Sequence, residues 1–164
     1  MRTSVDISFD MVDITAKRDS TVTATNIQSF TNPDALALDG VYATKAATME
    51  ENYWKLDGTF EVFPDKPQWY TWGIWSSELS GEDGTFAVPV VLTITFGELH
   101  SVNGIGFEFN PHDNSYCSDM TVIFYNGDTA VNTMELTPDE WRYSYDVNVD
   151  NFNKIEITFK KMNK

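Results

Sequence analysis

The stretch "PVVLTITFGELHSVNGIGFEFN", residues 89 to 110, holds two runs of alternating character around a polar middle. In the first, Val90, Leu92, Ile94 and Phe96 fall on one side of an extended chain, with Val91, Thr93 and Thr95 on the other. In the second, Ile105, Phe107 and Phe109 repeat the pattern. A period of two over this length is the signature of half-buried strands, and the β-branched and aromatic residues that fill it favour extended backbone. The middle, "FGELHSVNG", carries the glycines and polar residues of a break between two strands.

The pattern continues to the C-terminus. "DMTVIFYN" aligns Met120, Val122 and Phe124; "WRYSYDVNV" aligns Trp141, Tyr143, Tyr145, Val147 and Val149; "KIEITF" aligns Ile155, Ile157 and Phe159. Asn126-Gly127 in "YNGDT" is a pair suited to positive φ in a tight hairpin, which predicts a strand near 119–125 joined to one near 129–136. "NPHDNSYCSD", "LTPDEW" and "VDNFN" read as further breaks. This half has no helical stripe longer than about two turns, so nothing in it can cross over between parallel strands. The fold class that follows is all-β: an antiparallel sandwich or barrel.

Before residue 85 the signals are shorter. "VDISF" and "STVTATN" read as strands, and "NPDALALDG" as one helical turn ended by Gly40. "ATMEENYWKLDGTFEVF" predicts strand, turn and strand, with the turn at Asp57-Gly58, because Thr59, Phe60, Val62 and Phe63 prefer strands. No repeat or low-complexity segment interrupts the 164 residues, a length suited to one domain spanning 1–164. The last strand pattern runs to the very end, which carries the expectation of a fragment of a longer protein.

Eleven basic residues against 25 acidic ones give a formal net charge of −14. That field repels phosphate, and without a basic block it excludes nucleic acid and anionic membrane surfaces as partners. No apolar run reaches the roughly 20 residues of a membrane span, and "MRTSVDISFD" lacks a signal-peptide core. The single cysteine, Cys117, rules out an intrachain disulfide and a cysteine-based zinc cluster.

The spelling "ALDG", "SSELSGEDGTF", "PVVLTITFGELHSVNGIGFEFN" and "NKIEITF" resembles the discoidin (coagulation factor type C) domains and related carbohydrate-binding modules of the galactose-binding-like jelly roll. Leu92 to Gly97 matches that family's L-x-I-x-F-G strand, and Val102 to Phe107 its following V-x-G-I-x-F strand. "KRDSTVTATN", "ENYWKLDG" and "WSSELSGEDGTF" look closest to modules within tail proteins of phages and prophages of Gram-positive bacteria. The resemblance implies an antiparallel jelly-roll sandwich and a non-catalytic module that binds bacterial cell-surface glycan. It also implies a virion setting among other phage tail subunits. The alternative is a structural or assembly domain of the tail. Many relatives hold a structural calcium, but their D-G-x-x-x-T-x-W pattern has no clean match after Asp39-Gly40 or Asp57-Gly58. No cofactor is therefore expected, and calcium stays open.

Two groups of residues suit a sugar ligand. "PDKPQWYTWGIWSS", residues 64 to 77, offers Trp69, Tyr70 and Trp72 in a loop-like, proline-flanked segment, where rigid amphipathic rings can stack on a pyranose. The same rings could equally anchor a protein interface. Trp75, leading into "IWSS", reads as core. "NPHDNSYCSD" supplies Asn110, His112, Asp113, Asn114 and Tyr116 as hydrogen-bonding partners or oxygen ligands for calcium, or forms an ordinary solvated turn. "ELSGEDGTF", with Glu78, Glu82 and Asp83, reads as a solvated hairpin or a cation loop. His100 and His112 both fall in predicted turns, Cys117 reads as an idle thiol, and no nucleophile or zinc motif points to an enzyme. A hydrolase remains the third alternative.

Overall fold

The computed structural model describes residues 3–11, 18–25, 29–31, 40–41, 47–50, 53–60, 69–70, 72–76, 83–109 and 114–163. Below residue 83, side chains are described at Ile7, Phe9 and Thr23. The elements are β1 (Thr3–Met11), β2 (Arg18–Thr25), β3 (Ser29–Thr31), β4 (Gly40–Val41), β5 (Ala47–Glu50) and β6 (Tyr53–Phe60). They continue with β7 (Trp69–Tyr70), β8 (Trp72–Ser76), β9 (Thr85–Phe109), β10 (Cys117–Asn126), β11 (Thr129–Leu136) and β12 (Arg142–Met162). Every described element is a strand, and all but one pairing are antiparallel. The expected all-β class is what the chain adopts.

The scaffold is a long ribbon of β9 against β12, with Arg142 across from Glu108 at one end and Lys161 across from Thr85 at the other. The ribbon doubles back on itself. Phe159 pairs with Val90, nineteen residues along β9 from Phe109. A straight ribbon would hold those positions about 60 Å apart at ~3.3 Å per residue. The rings of Phe109 and Phe159 instead meet edge to face at 6.4 Å. Tyr143, near the start of β12, likewise directs its hydroxyl to Met120 Sδ at 3.6 Å, and Met120 is the cross-strand partner of Phe159. The two halves of the ribbon therefore face each other across the core.

The fold-back falls in the segments read from sequence as strand breaks. "FGELHSVNG" and "VDNFN" do not end strands; β9 and β12 run through them, and the pairing slips repeatedly between Asp146 and Lys154. Asn151 takes φ 55°, a left-handed conformation that asparagine tolerates. Apolar rings hold the corner: Phe152 is fully buried and meets Phe96 at 5.8 Å and Phe124 at 5.2 Å, both edge to face. His100, expected in a turn, is buried here against Phe96 at 5.1 Å. The polar character that suggested a break serves a bend, while the intervening large side chains make the inside of that bend.

Other strands attach to each half. On the half formed by Thr85–Phe96 and Lys154–Met162, β10 pairs with β12 and β11 with β10, while β2 pairs with β9 and β6 with β2. On the other half, β1 pairs with Val102–Phe109, followed by β8 and β3. The core alternates as read from sequence: Val90, Leu92, Ile94, Phe96, Ile105, Phe107 and Phe109 are buried, as are Met120, Val122, Phe124, Ile155, Ile157 and Phe159. The hairpin after β10 also forms where expected, with Asn126 paired to Thr129 and Gly127 at φ 60°. Positive φ at the first loop residue fits a II′ turn, so the central pair is Gly127-Asp128 rather than Asn126-Gly127.

Two N-terminal expectations change. The reversal placed at Asp57-Gly58 falls between Glu50 and Tyr53, which pair with each other. Asp57 and Gly58 stay extended because β2 supplies Thr21 and Ser20 as their partners. The aromatic segment is not a free loop either: Trp69–Tyr70 is a strand parallel to Gly40–Val41, and Trp72–Ser76 lies between β1 and β3. The helical turn expected in "NPDALALDG" lies outside the described residues up to Gly40.

Candidate functional site

The fold-back sorts the connections onto two ends. At the corner end lie the two bends and the β10–β11 hairpin, where the Gly127 amide donates to Asn153 Oδ1 at 2.8 Å. At the opposite end lie Asp83–Gly84, Asn114–Tyr116 and Met162–Asn163. The Met162 amide donates to the Gly84 carbonyl at 2.9 Å. Asn163 then grips the polar turn with three bonds. Its amide donates to the Tyr116 carbonyl at 2.9 Å, its Nδ2 donates to the Asn114 carbonyl at 2.9 Å, and its Oδ1 accepts from the Tyr116 amide at 3.0 Å.

Asn114 is exposed, at φ 52°. Its neighbour Ser115 is fully buried, and Tyr116 packs half-buried against the core. The turn is thus anchored at an exposed asparagine and at the two residues that follow it: a short polar feature held at the rim. Asp83 lies beside it. Its carboxylate accepts from the Thr85 amide and hydroxyl, both at 3.1 Å, and stands 3.8 Å from Lys161 Nζ. Those bonds from Thr85 hold its pKa below the ordinary carboxylate value. In this part of "ELSGEDGTF" the carboxylate closes its own turn, the solvated-hairpin reading; Glu78 and Glu82 lie outside the described residues.

The expected site residues are not all gathered. Asn114 and Tyr116 are at the rim; Asn110, His112 and Asp113 lie outside the described residues, between Phe109 and Asn114, both at this end. The backbones of Trp69, Tyr70 and Trp72 are described, their side chains are not. Trp72 pairs with Ile7, and Ile7 with Phe107. Ile74 shares the level of Val5 and Phe109, so the chain from Ile74 back to Trp69 leads away from the rim, up to about 17 Å if extended. Trp75, read as core, pairs with Ser4 and Ser29. The backbones of Trp69, Tyr70 and Trp72 are therefore offset from the turn at Asn114–Tyr116, which sits on the other half of the ribbon.

Elsewhere the ionisable groups form ion pairs on the outer faces. Lys160 Nζ bridges Asp119 Oδ1 and Glu135 Oε2, both at 3.2 Å, and Glu135 also accepts from the Thr121 hydroxyl at 2.8 Å. The Thr121 and Lys160 bonds lower the Glu135 pKa, and the Asp119 bond leads in raising that of Lys160. Cys117 is buried, donates to the Asp119 carbonyl at 3.1 Å, and has its pKa pushed up to about 11 by burial. Among the described residues, no group of three or more His, Cys, Asp or Glu could hold a metal ion. Among them there is no helix long and apolar enough to cross a membrane.

Sequence reasoning missed Asn163. Nothing in "FKKMNK" marks its asparagine as a clamp, because its partners lie 47 and 49 residues away along the chain. Asn153 was equally silent.

No family model matches the chain, and neither does any curated protein. Among solved structures it is similar to the pilus backbone protein RrgB of Streptococcus pneumoniae over 96% of this chain and 71% of that one. The identity is 13% and the TM-score 0.23, a likeness too distant to carry fold or function across.

Proposed function

We propose that this chain is a jelly-roll sandwich of the galactose-binding-like type, acting as a non-catalytic module of a phage or prophage tail that binds bacterial cell-surface glycan. The observation that supports it most is the rim turn. An exposed asparagine at positive φ, flanked by a buried serine and clamped by Asn163, is a rigid polar edge suited to sugar hydroxyls. Asn110, His112, Asp113, Asn114 and Tyr116 supply the hydrogen bonds in this reading, and Trp69, Tyr70 and Trp72 the stacking surface.

The offset between the rim turn and the backbones of Trp69, Tyr70 and Trp72 favours a polymeric ligand. A single sugar touches one patch; a chain of several units can reach both. Each contact is modest, so one module binds weakly and repeated copies on a virion supply avidity. Titration with soluble cell-wall polysaccharides of Gram-positive bacteria tests this. Binding is expected to lengthen with the oligosaccharide and to weaken on Asp113→Ala and Trp72→Ala. Asp113→Ala guards against a Trp72 variant that fails to fold. Absence of binding to every such glycan would overturn the reading.

A scaffold role is the second reading, and a specific observation favours it: among the described residues, β11 pairs with β10 alone and leaves Val131 44% exposed.

A further inference from the structure

The two halves of the folded ribbon do not end flush. On one side, the half that carries β10 continues to β11, which pairs with β10 alone among the described residues. The facing half stops at Arg142–Val149, which among the described residues pairs with β9 alone; β10 takes up only the later part of β12, from Lys154 on. One layer therefore overhangs the other by about a strand.

The side chains record the same step. Among the described residues, the apolar ones that pack on the core yet stay partly open are Tyr116 and, apart from it, Met134 on β11, Trp141 just before β12, and Tyr143, Tyr145 and Val147 on β12. All five of the latter alternate with exposed neighbours, which puts them on the core-facing side of their strands while leaving them partly open. A hydrophobic row of this kind beside two unpaired strand edges is a position prepared for one more strand.

We infer that this step is an interface for a second copy of the chain, joined as a lap. The chain itself carries a strand of the required sense. β12 reverses direction at its bend, so Arg142–Val149 runs opposite to its later half, and β11 runs antiparallel to Arg142–Val149. A twofold axis parallel to the strands keeps that sense. It places each copy's β11 beside the other's Arg142–Val149 as an antiparallel neighbour, and sets Met134 of one copy over Met134 of the other. Both open edges are then paired and the contact is isologous.

Charge allows the join despite the net charge of −14. Residues 129 to 134 carry no charge, and Glu135 is already held by Lys160 and Thr121. Tyr143 reaches Met120, which pairs with Leu136, so Arg142 of one copy stands at the same end as Glu135 of the other. The remaining repulsion between copies is long-range and weakens with salt.

Sedimentation equilibrium on the full chain tests the inference. A concentration-dependent dimer, of twice 18.6 kDa, is expected, tightening with added salt. Met134→Lys places a charge in the buried joint and is expected to raise the dimer Kd more than about tenfold, with the far-ultraviolet spectrum unchanged. A crosslink gives the geometry without touching the core. Thr133 and Asp146 are exposed on the outer faces of β11 and β12, on opposite sides of one molecule but adjacent across the lap. Mixed Thr133→Cys and Asp146→Cys chains are expected to oxidise to a disulfide-linked heterodimer, Cys117 staying buried. A monomer at every concentration and salt would overturn the inference. So would crosslinking no faster than with Val88→Cys, a 61% exposed control.

Discussion

The corner end and the rim end of the folded ribbon are held by different physics. At the corner, Phe96, Phe124 and Phe152 interlock edge to face, with His100 against them, and the backbone irregularities follow from the need to turn around those rings. At the rim, Met162 and Asn163 close two turns through hydrogen bonds, one of which carries an exposed asparagine. The corner is costly to change and makes the fold. The rim is cheaper to change, and a binding surface can vary there without disturbing the corner.

Four substitutions break or sharpen that contrast. Phe152→Ala removes the ring shared by both bends and is expected to cost about 3–5 kcal/mol in denaturant unfolding. A loss below about 1 kcal/mol would mean that the corner is not held by its rings. Asn163→Ala removes two side-chain bonds at the rim and is expected to cost about 1–2 kcal/mol. Its sharper signature is local: amide exchange of Tyr116 should quicken while that of Phe152 stays at the global rate.

Gly127→Ala tests the hairpin beside the corner. A Cβ there meets no atom within 4 Å, so the cost is that of holding alanine at φ 60°, about 1–2 kcal/mol. The smallest effect belongs to the outer ion pairs. Glu135 has its pKa lowered by Thr121 and Lys160, so its contribution is present above the ordinary glutamate range and fades as pH falls through the folded value. The stability difference between wild type and Glu135→Gln should accordingly vanish in acid and return toward neutrality. A difference independent of pH would assign the effect to packing instead.

The strands leading to the corner were legible because burial imposes period two, and Val90 to Phe96 or Ile155 to Phe159 show it without interruption. The bends were misread because local composition reports solvent exposure, not chain direction: Gly97, Glu98 and Leu99 are exposed inside a continuous strand. Asp57-Gly58 misled for a related reason, since turn propensity is local and pairing with β2 is not. At the rim, sequence reasoning found the polar stretch but not its clamp, because a bond spanning 49 residues leaves no local trace. The offset of the Trp72 backbone from the rim was equally invisible, being set by register across three strands.

The doubling of the β9–β12 ribbon is the claim on which the rim, the overhang and the shared core all rest. The most direct test is the nuclear Overhauser spectrum of chain labelled at phenylalanine. The folded ribbon predicts a cross-peak between the rings of Phe109 and Phe159, 6.4 Å apart between centroids, alongside the cross-strand contact of Phe159 with Val90. The strand contact without the ring contact would describe a straight ribbon and contradict the account.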